Sequence, residues 1–401
     1  MVLNAADQGV RRPPFLLLII VLCGFAGTSL WFASNAVMDA LQADLGLSNA
    51  DLGHTTSAVQ LGFISGTLLF AFFAISDRVS PRLLFLICAL AGAVANLGLA
   101  LLARDAASVL LLRFLTGLFL AGIYPVGMKI AAGWFQHDLG KAIGFLVGSL
   151  MIGTAFPHLL RGLGQDVPWE VVILSVSVLA ALGGLLMYFA VPDGPHLARG
   201  GRFDPRALGV IFGSRRFRAS AFGYFGHMWE LYAFWVFVPV VLAAYFAGSP
   251  LSNGAISLWS FAIIAAGSIG CIGGGLLSLR TGSAPVAFWQ LLASGVCCAL
   301  SPLLFLAPPP VFLAFLLFWG IVVAGDSPQF STLNARNAPP QLVGSALTIA
   351  NCIGFTISIV SIQLLNVLAT GLDARYLFLP LVVGPIVGLA AMFTLLHQET
   401  D

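Results

Sequence analysis

The chain has 401 residues, of which 59% are hydrophobic and 8% charged. A soluble domain carries about 25% charged residues, so most of this surface cannot face water and must face lipid. The net charge of +2, from 18 basic and 16 acidic residues, gives no electrostatic basis for nucleic-acid binding.

A helix needs about 20 apolar residues to cross a bilayer. Twelve such runs are predicted, over 14–37, 53–75, 83–103, 109–133, 142–161, 169–191, 219–246, 254–278, 284–307, 311–334, 343–368 and 376–396. The fold class is therefore an all-α membrane protein with twelve transmembrane helices. The six cysteines, Cys23, Cys88, Cys271, Cys297, Cys298 and Cys352, fall in apolar runs without metal-ligand spacing and read as packing residues.

Basic residues set the orientation. With the N-terminus inside, the inner flanks carry Arg11, Arg12, Arg78, Arg82, Lys129, Lys141, six arginines between Arg199 and Arg218, Arg280 and Arg336. The outer flanks carry Arg104, Arg161 and Arg375. Fourteen against three puts both termini in the cytoplasm, in a bacterial-type inner membrane. The longest connection, rich in Pro, Gly and Arg, divides the chain into 1–192, a basic cytoplasmic linker over 193–218, and 219–401. Within it, Pro205 to Gly213 is apolar enough to lie along the membrane surface.

The two six-span halves repeat at an offset near 202. Gly122-Ile123-Tyr124-Pro125 parallels Gly325-Asp326-Ser327-Pro328, and Ser29-Leu30-Trp31 parallels Glu230-Leu231-Tyr232. The loop from Ser76 to Arg82 parallels that from Ser278 to Ala284. Parallel repeats of six spans are one signature of secondary transporters. After the second span, Asp77, Arg78 and Arg82 match a loop motif of roughly G-x-L-x-D-R-x-G-R-R/K. Phe73 and Ser80 stand where glycine is usual, and Pro81 where a basic residue is. The second copy keeps Gly275, Leu277, Arg280 and Gly282 but has Leu279 for the acid. Arg113-Phe114-Leu115-Thr116-Gly117 fits a second motif early in span four.

On these motifs the chain resembles the major facilitator superfamily over essentially its whole length. The resemblance implies two pseudo-symmetric halves around a central cavity lined by spans one, four, seven and ten. It also implies that Asp77, Arg78 and Arg82 form a latch holding one conformational state, present only in the first half. Gly144 and Gly153 have the spacing of the family's antiporter motif in span five. Pro157 and His158 displace its glycine-proline pair, which weakens that signal.

A charge at the bilayer centre costs about 2.5–3.5 kcal/mol on insertion scales, so intramembrane charges usually face a cavity. Arg113, Glu230 and Asp326 stand out. Helical spacing groups His227 with Glu230 on span seven, Trp319 with Asp326 and Gln329 on span ten, Arg113 with Tyr124 on span four, and Trp31 with Asn35 on span one. Glu230, His227 and Asp326 are the expected proton-coupling set, with His227 one turn from Glu230 to relay the proton. Asp326 has the alternative role of capping the break near Pro328. Trp31, Asn35, Arg113, Tyr124, Trp319 and Gln329 are the expected substrate contacts. His158 and Arg161 read as interfacial, with an outer gate as the other option.

No metal-spaced His/Cys set, phosphate-cradling loop or nucleophile triad is visible, so no enzyme, metal or cofactor is expected. The expected function is secondary transport of a small organic solute, such as an organic anion, coupled to protons by alternating access. A monomer is expected, with the bilayer, protons and a small-molecule substrate as its partners. The alternative is a drug/proton antiporter for cationic aromatic compounds; a membrane sensor using the same fold is the remote one.

Overall fold

The computed structural model describes residues 13–135, 139–164, 167–197, 203–249 and 252–396. Among these residues all regular secondary structure is helical. Arg11, Arg12, Arg199 and Arg202 of the basic flanks lie outside the described residues.

Eleven helices are long and apolar enough to cross a bilayer. They are Asp51–Phe72, Pro81–Leu101, Ala106–Trp134, Leu139–Leu163, Trp169–Ala190, Arg215–Tyr245, Asn253–Thr281, Ser283–Leu304, Pro309–Asn337, Pro340–Leu368 and Ala374–Leu396. They form spans two to twelve. The first span is assembled from three pieces, Leu16–Thr28, Ala33–Ala36 and Met38–Leu45. Twelve crossings return the chain to the face on which it started. That side is the termini face below, and the opposite side the far face.

The sequence predicts one unbroken helix over 14–37, and the structure corrects this. Regular helix stops at Thr28. The Thr28 hydroxyl donates to the Gly24 carbonyl at 2.8 Å, and the Ser29 hydroxyl to the Ala26 carbonyl at 2.6 Å. Hydroxyls that bond back to the preceding turn weaken continuation of the helix. Spans four and ten are also interrupted. Ala106–Leu120 gives way to Tyr124–Trp134, and Pro309–Gly325 to Ser327–Asn337. In both, a proline, Pro125 or Pro328, sits in the first turn of the new segment, where its missing N–H costs nothing. The interruptions fall on the repeated Gly-Ile-Tyr-Pro and Gly-Asp-Ser-Pro segments.

Apolar burial cannot drive helices together in lipid, because the tails are as apolar as the side chains. Close backbone approach takes its place. A Cβ added at Gly62 or Gly117 would overlap a main-chain carbonyl, of Phe114 or Val59, across spans two and four. The second half repeats the device. Gly270 meets the Ile321 carbonyl and Gly320 the Ile263 carbonyl, across spans eight and ten. The halves then meet along two seams. Spans five and eight run side by side, from Gly162 against Leu258 to Gly144 against Cys271. Spans two and eleven are joined by three side-chain hydrogen bonds. Asn366 donates to the Ala50 carbonyl at 2.8 Å, Gln363 to Ser57 at 2.7 Å, and Ser358 to Gln60 at 3.0 Å.

The linker segment over 205–213 contains a short helix, Ala207–Gly213. Ala207 and Ile211 are buried, while Leu208 and Val210 are exposed. Its inner side rests on spans seven and eleven.

Gly117→Leu is expected to destabilise the first half by about 1–3 kcal/mol through overpacking. The check is the thermal midpoint of the detergent-purified protein, with Ala107→Leu at the exposed start of the same span as the control.

Candidate functional site

Where the halves face each other at mid-depth, aromatic rings fill the space. Trp31 of span one lies 5.8 Å from Tyr232 of span seven and 5.7 Å from Phe355 of span eleven, both stacked. Phe63 of span two completes the layer, 5.0 Å from Trp31 and 4.7 Å from Phe355. Tyr232 also meets Trp235 edge-on at 5.2 Å. Each such pair contributes about 0.5–1.5 kcal/mol beyond its area. The layer draws on both halves, so moving the halves apart on either side must separate these rings.

Two cavities lie on opposite sides of this layer. The larger, about 620 Å³, is at the far face and is lined by Asn35, His158, Arg161, Val236, Asn253 and Asn366, among others. The smaller, about 260 Å³, is at the termini face and includes Thr67, Pro125, Lys129 and Ser345. Asn35 is one helical turn outward from Trp31, and Val236 one turn outward from Tyr232. The aromatic layer thus separates the two cavities.

The acids cluster in the second half. His227 Nδ1 and Asp326 Oδ1 lie 2.8 Å apart, with both side chains fully buried. Asp326 does not cap the tenth-span break with its side chain; the backbone carbonyl of Asp326 accepts from the N–H groups of Gln329 and Phe330 instead. Glu230 turns to span nine. Its Oε2 accepts from the Ser294 hydroxyl at 2.7 Å and from the Cys298 thiol at 3.4 Å. Trp319 donates its indole N–H to Ser294 at 3.0 Å. The i, i+3 spacing of His227 and Glu230 therefore serves two different partners. His227 Nε2 and Glu230 Oε1 have no hydrogen-bond partner.

Arg113 is fully buried and reaches across to span one. Its NH1 and NH2 groups donate to the Leu30 carbonyl at 3.1 Å, and NH2 also donates to the Trp31 carbonyl. NH1 donates to Asn96 Oδ1 at 3.0 Å, and Asn96 in turn donates to Ser177 at 3.0 Å. These carbonyls are the ones released by the break in the first span. The guanidinium is thus committed to the backbone beside the aromatic layer, with only Nε unpartnered. Among the described residues no ion pair is formed at Arg113.

At the termini face, Asp77 pairs with Lys129 of span four at 2.5 Å, and Lys129 also donates to the Ser76 carbonyl at 2.7 Å. Arg82 Nε lies 3.8 Å from Asp193, which accepts from Ser80 at 2.8 Å, and the guanidinium sits over the Tyr188 ring. The loop acid and basic residues thus tie spans two, three, four and six together. Lys129 and Asp193 enter this set from the structure; their only sequence signal was a charge at a span edge. Arg78 lies beside Asp77 on the short helix Ile75–Arg78.

The remaining expected substrate contacts divide. Asn35 faces the far cavity and donates to Thr56 at 2.7 Å. Trp31 is in the aromatic layer. Tyr124 begins the second segment of span four and is half-buried. Trp319 is fully buried inside the second half, against Phe234 at 4.6 Å and Phe378 at 5.2 Å. Gln329 is buried beside the tenth-span break. Ser294 and Cys298, which hold Glu230, were not singled out by sequence, because hydroxyls and thiols in apolar spans carry no distinguishing spacing.

This architecture, twelve crossings in two repeated halves around an aromatic layer with a cavity on each side, is that of a membrane transporter rather than an enzyme. The chain belongs to the Major Facilitator Superfamily, whose family model matches residues 16–362. Among curated proteins it is 28% identical over 202 residues to a D-galactonate transporter of Escherichia coli O6:H1, covering 49% of this chain and 45% of that protein. It is 27% identical over 206 residues to the nitrate/nitrite transporter NrtP of Picosynechococcus, covering 43% of this chain and 37% of that one. The alignments thus span less than half the length of these curated relatives. Solved structures share the fold at low identity. The proton:xylose symporter XylE superposes with a TM-score of 0.75 at 15% identity, covering 96% of this chain and 95% of that one. A bacterial homologue of the human lysosomal transporter Spinster, inward-facing and unoccupied, gives 0.73 at 14%, covering 96% and 97%. A human organic anion transporter gives 0.70 at 15%, covering 95% and 100%.

Arg113→Leu is expected to leave the Leu30 and Trp31 carbonyls unpaired in an apolar setting, at about 1–3 kcal/mol for each buried group. Arg113→Lys, which keeps a donor, is expected to lose less. Thermal midpoints of the two purified variants check this order.

Proposed function

We propose that this membrane transporter is a proton-coupled carrier for a small organic anion, working by alternating access between the two cavities. The observation that carries the coupling is the buried His227–Asp326 contact at 2.8 Å, with Glu230 one turn away on the same span as His227. Such groups are expensive in a membrane and persist where they serve transport. His227 Nε2 and Glu230 Oε1, both without partners, are positions where a proton can be loaded or released. Tyr232, in the aromatic layer, lies on the same helix as both. Movement of span seven therefore links the layer to the coupling groups.

An anion is favoured because both curated relatives are named for transporters of anions. The reading places the protein in a bacterial-type inner membrane with both termini cytoplasmic, in accord with the basic flanks. On that orientation the far cavity is the outer vestibule and the smaller cavity the inner one. The protein functions as a monomer with protons and one small molecule as its partners. The division into 1–192, the linker 193–218 and 219–401 gives the two bodies that rock. Asp77 with Lys129, and Arg82 with Asp193, latch the inner side of the first body, and Arg78 adds to its basic edge. The latch replaces the simpler arrangement of one acid among arginines with two ion pairs.

The test is uptake into proteoliposomes carrying a pH-sensitive dye in the lumen, with organic anions and lipophilic cations offered in turn and no preset gradient. Acidification of the lumen with an anion is the expected result. Alkalinisation with a cation would replace symport by drug/proton antiport. Glu230→Gln and Asp326→Asn are expected to abolish gradient-driven uptake while the protein still purifies as a folded monomer. Normal pH-dependent flux in Glu230→Gln would remove Glu230 from the mechanism.

A further inference from the structure

The far cavity combines features that the family assignment does not explain. At about 620 Å³ it lies within the size range of small-molecule sites. Among the described residues its only ionisable lining groups are Asp39, His158 and Arg161, while five carboxamides and the hydroxyls of Ser257 and Thr370 line the remainder of its polar wall. Each carboxamide offers both a donor and an acceptor, as a hydroxyl group does. Carboxamides therefore match alternating hydroxyls better than they match a bare ion.

Two of these groups are buried and incompletely satisfied. His158 is 2% exposed and its Nε2 has no partner. Asn35 is 8% exposed; its Nδ2 is committed to Thr56, and its Oδ1 has no partner. A buried polar atom left unpaired is costly, and a ligand group can recover that cost. Arg161 is half-buried and donates one N–H to the Val167 carbonyl at 3.2 Å. A guanidinium has five N–H donors, so Arg161 retains several for a carboxylate. His158 and Arg161 are three residues apart on the same helix and share a face. Asp39 is exposed on the short helix Met38–Leu45. A solvated carboxylate is a weak anchor for an ammonium group, and it disfavours a second negative charge on the ligand.

We propose that the far cavity is a binding site for a polyhydroxylated monocarboxylate, with Arg161 and His158 taking the carboxylate and Asn35, Asn253 and Asn366 taking the hydroxyls. This rests on the reading of the chain as an anion carrier and adds the site and the ligand class. The aromatic layer lies beyond Asn35 and Val236, on the inner side of this cavity.

The experiment titrates the full-length protein in nanodiscs with sodium D-gluconate, D-glucose, acetate and glycine by calorimetry. Labelled gluconate flux into proteoliposomes is measured in parallel. Gluconate is expected to bind, with glucose and acetate each weaker by about tenfold or more, as losing one charge-assisted or several neutral hydrogen bonds implies. Arg161→Gln and Asn253→Leu are each expected to raise the gluconate Kd by about tenfold, corresponding to 1.4 kcal/mol, with unchanged thermal midpoints. Gluconate flux with wild-type affinity in both variants overturns the site and leaves the anion-carrier reading standing. Glycine or glucose binding as well as gluconate overturns the ligand class. Transport of cations but of none of the anions overturns both this proposal and the carrier reading beneath it.

Discussion

In a bilayer every backbone N–H and C=O needs a partner inside the protein, since lipid supplies none. An interrupted helix is tolerated only where something else occupies the freed groups. Here that requirement falls on Arg113. Its guanidinium holds the carbonyls of Leu30 and Trp31 at the point where the first span loses its helical ladder. Holding those carbonyls also sets Trp31 into the layer that separates the two cavities. The fourth span supplies the donor, the first span supplies the break, and Asn96 of the third span completes the network. The mid-depth geometry of the first half depends on this one contact.

The second half meets the same requirement differently. Its break, at Gly325 and Asp326, is closed by local main-chain hydrogen bonds, which frees the Asp326 side chain to pair with His227. Glu230 is held by Ser294, which is itself held by Trp319. A fixed cation thus stands in one half and titratable groups in the other. The glycine contacts between spans two and four, and between spans eight and ten, lock each half internally. The halves meet one another along two seams beside the aromatic layer. One of these, between spans two and eleven, is joined by hydrogen bonds that average about 0.6 kcal/mol each in membrane proteins. Bonds of that size hold the two halves together only weakly at this seam.

Much of the fold was legible along the chain. Eleven of the twelve crossings lie where apolar runs of sufficient length predicted them, because the bilayer imposes its thickness on any helix that spans it. The repeat was legible through Gly122 to Pro125 and Gly325 to Pro328, where the structure breaks both helices. The break in the first span was not, because Thr28 and Ser29 are also tolerated in continuous helices. Helical spacing put His227 and Glu230 on one face, but spacing describes one helix alone. Which neighbouring helix each side chain meets depends on how spans nine and ten are placed beside span seven.

The sequence by itself determined the solvent, the number of crossings, the repeat and the few polar residues with enough cost to need a purpose. These are properties of composition and local periodicity, which the bilayer enforces residue by residue. Only the tertiary structure decided the partners. Arg113 is bound to backbone rather than presented to a ligand, Asp326 is paired with His227 rather than spent on a cap, and Ser294 and Cys298 join Glu230. It also placed Asn35, His158 and Arg161, from spans one and five, around one cavity. Pairings of this kind join residues far apart in the chain, and short-range sequence pattern carries no record of which helices become neighbours.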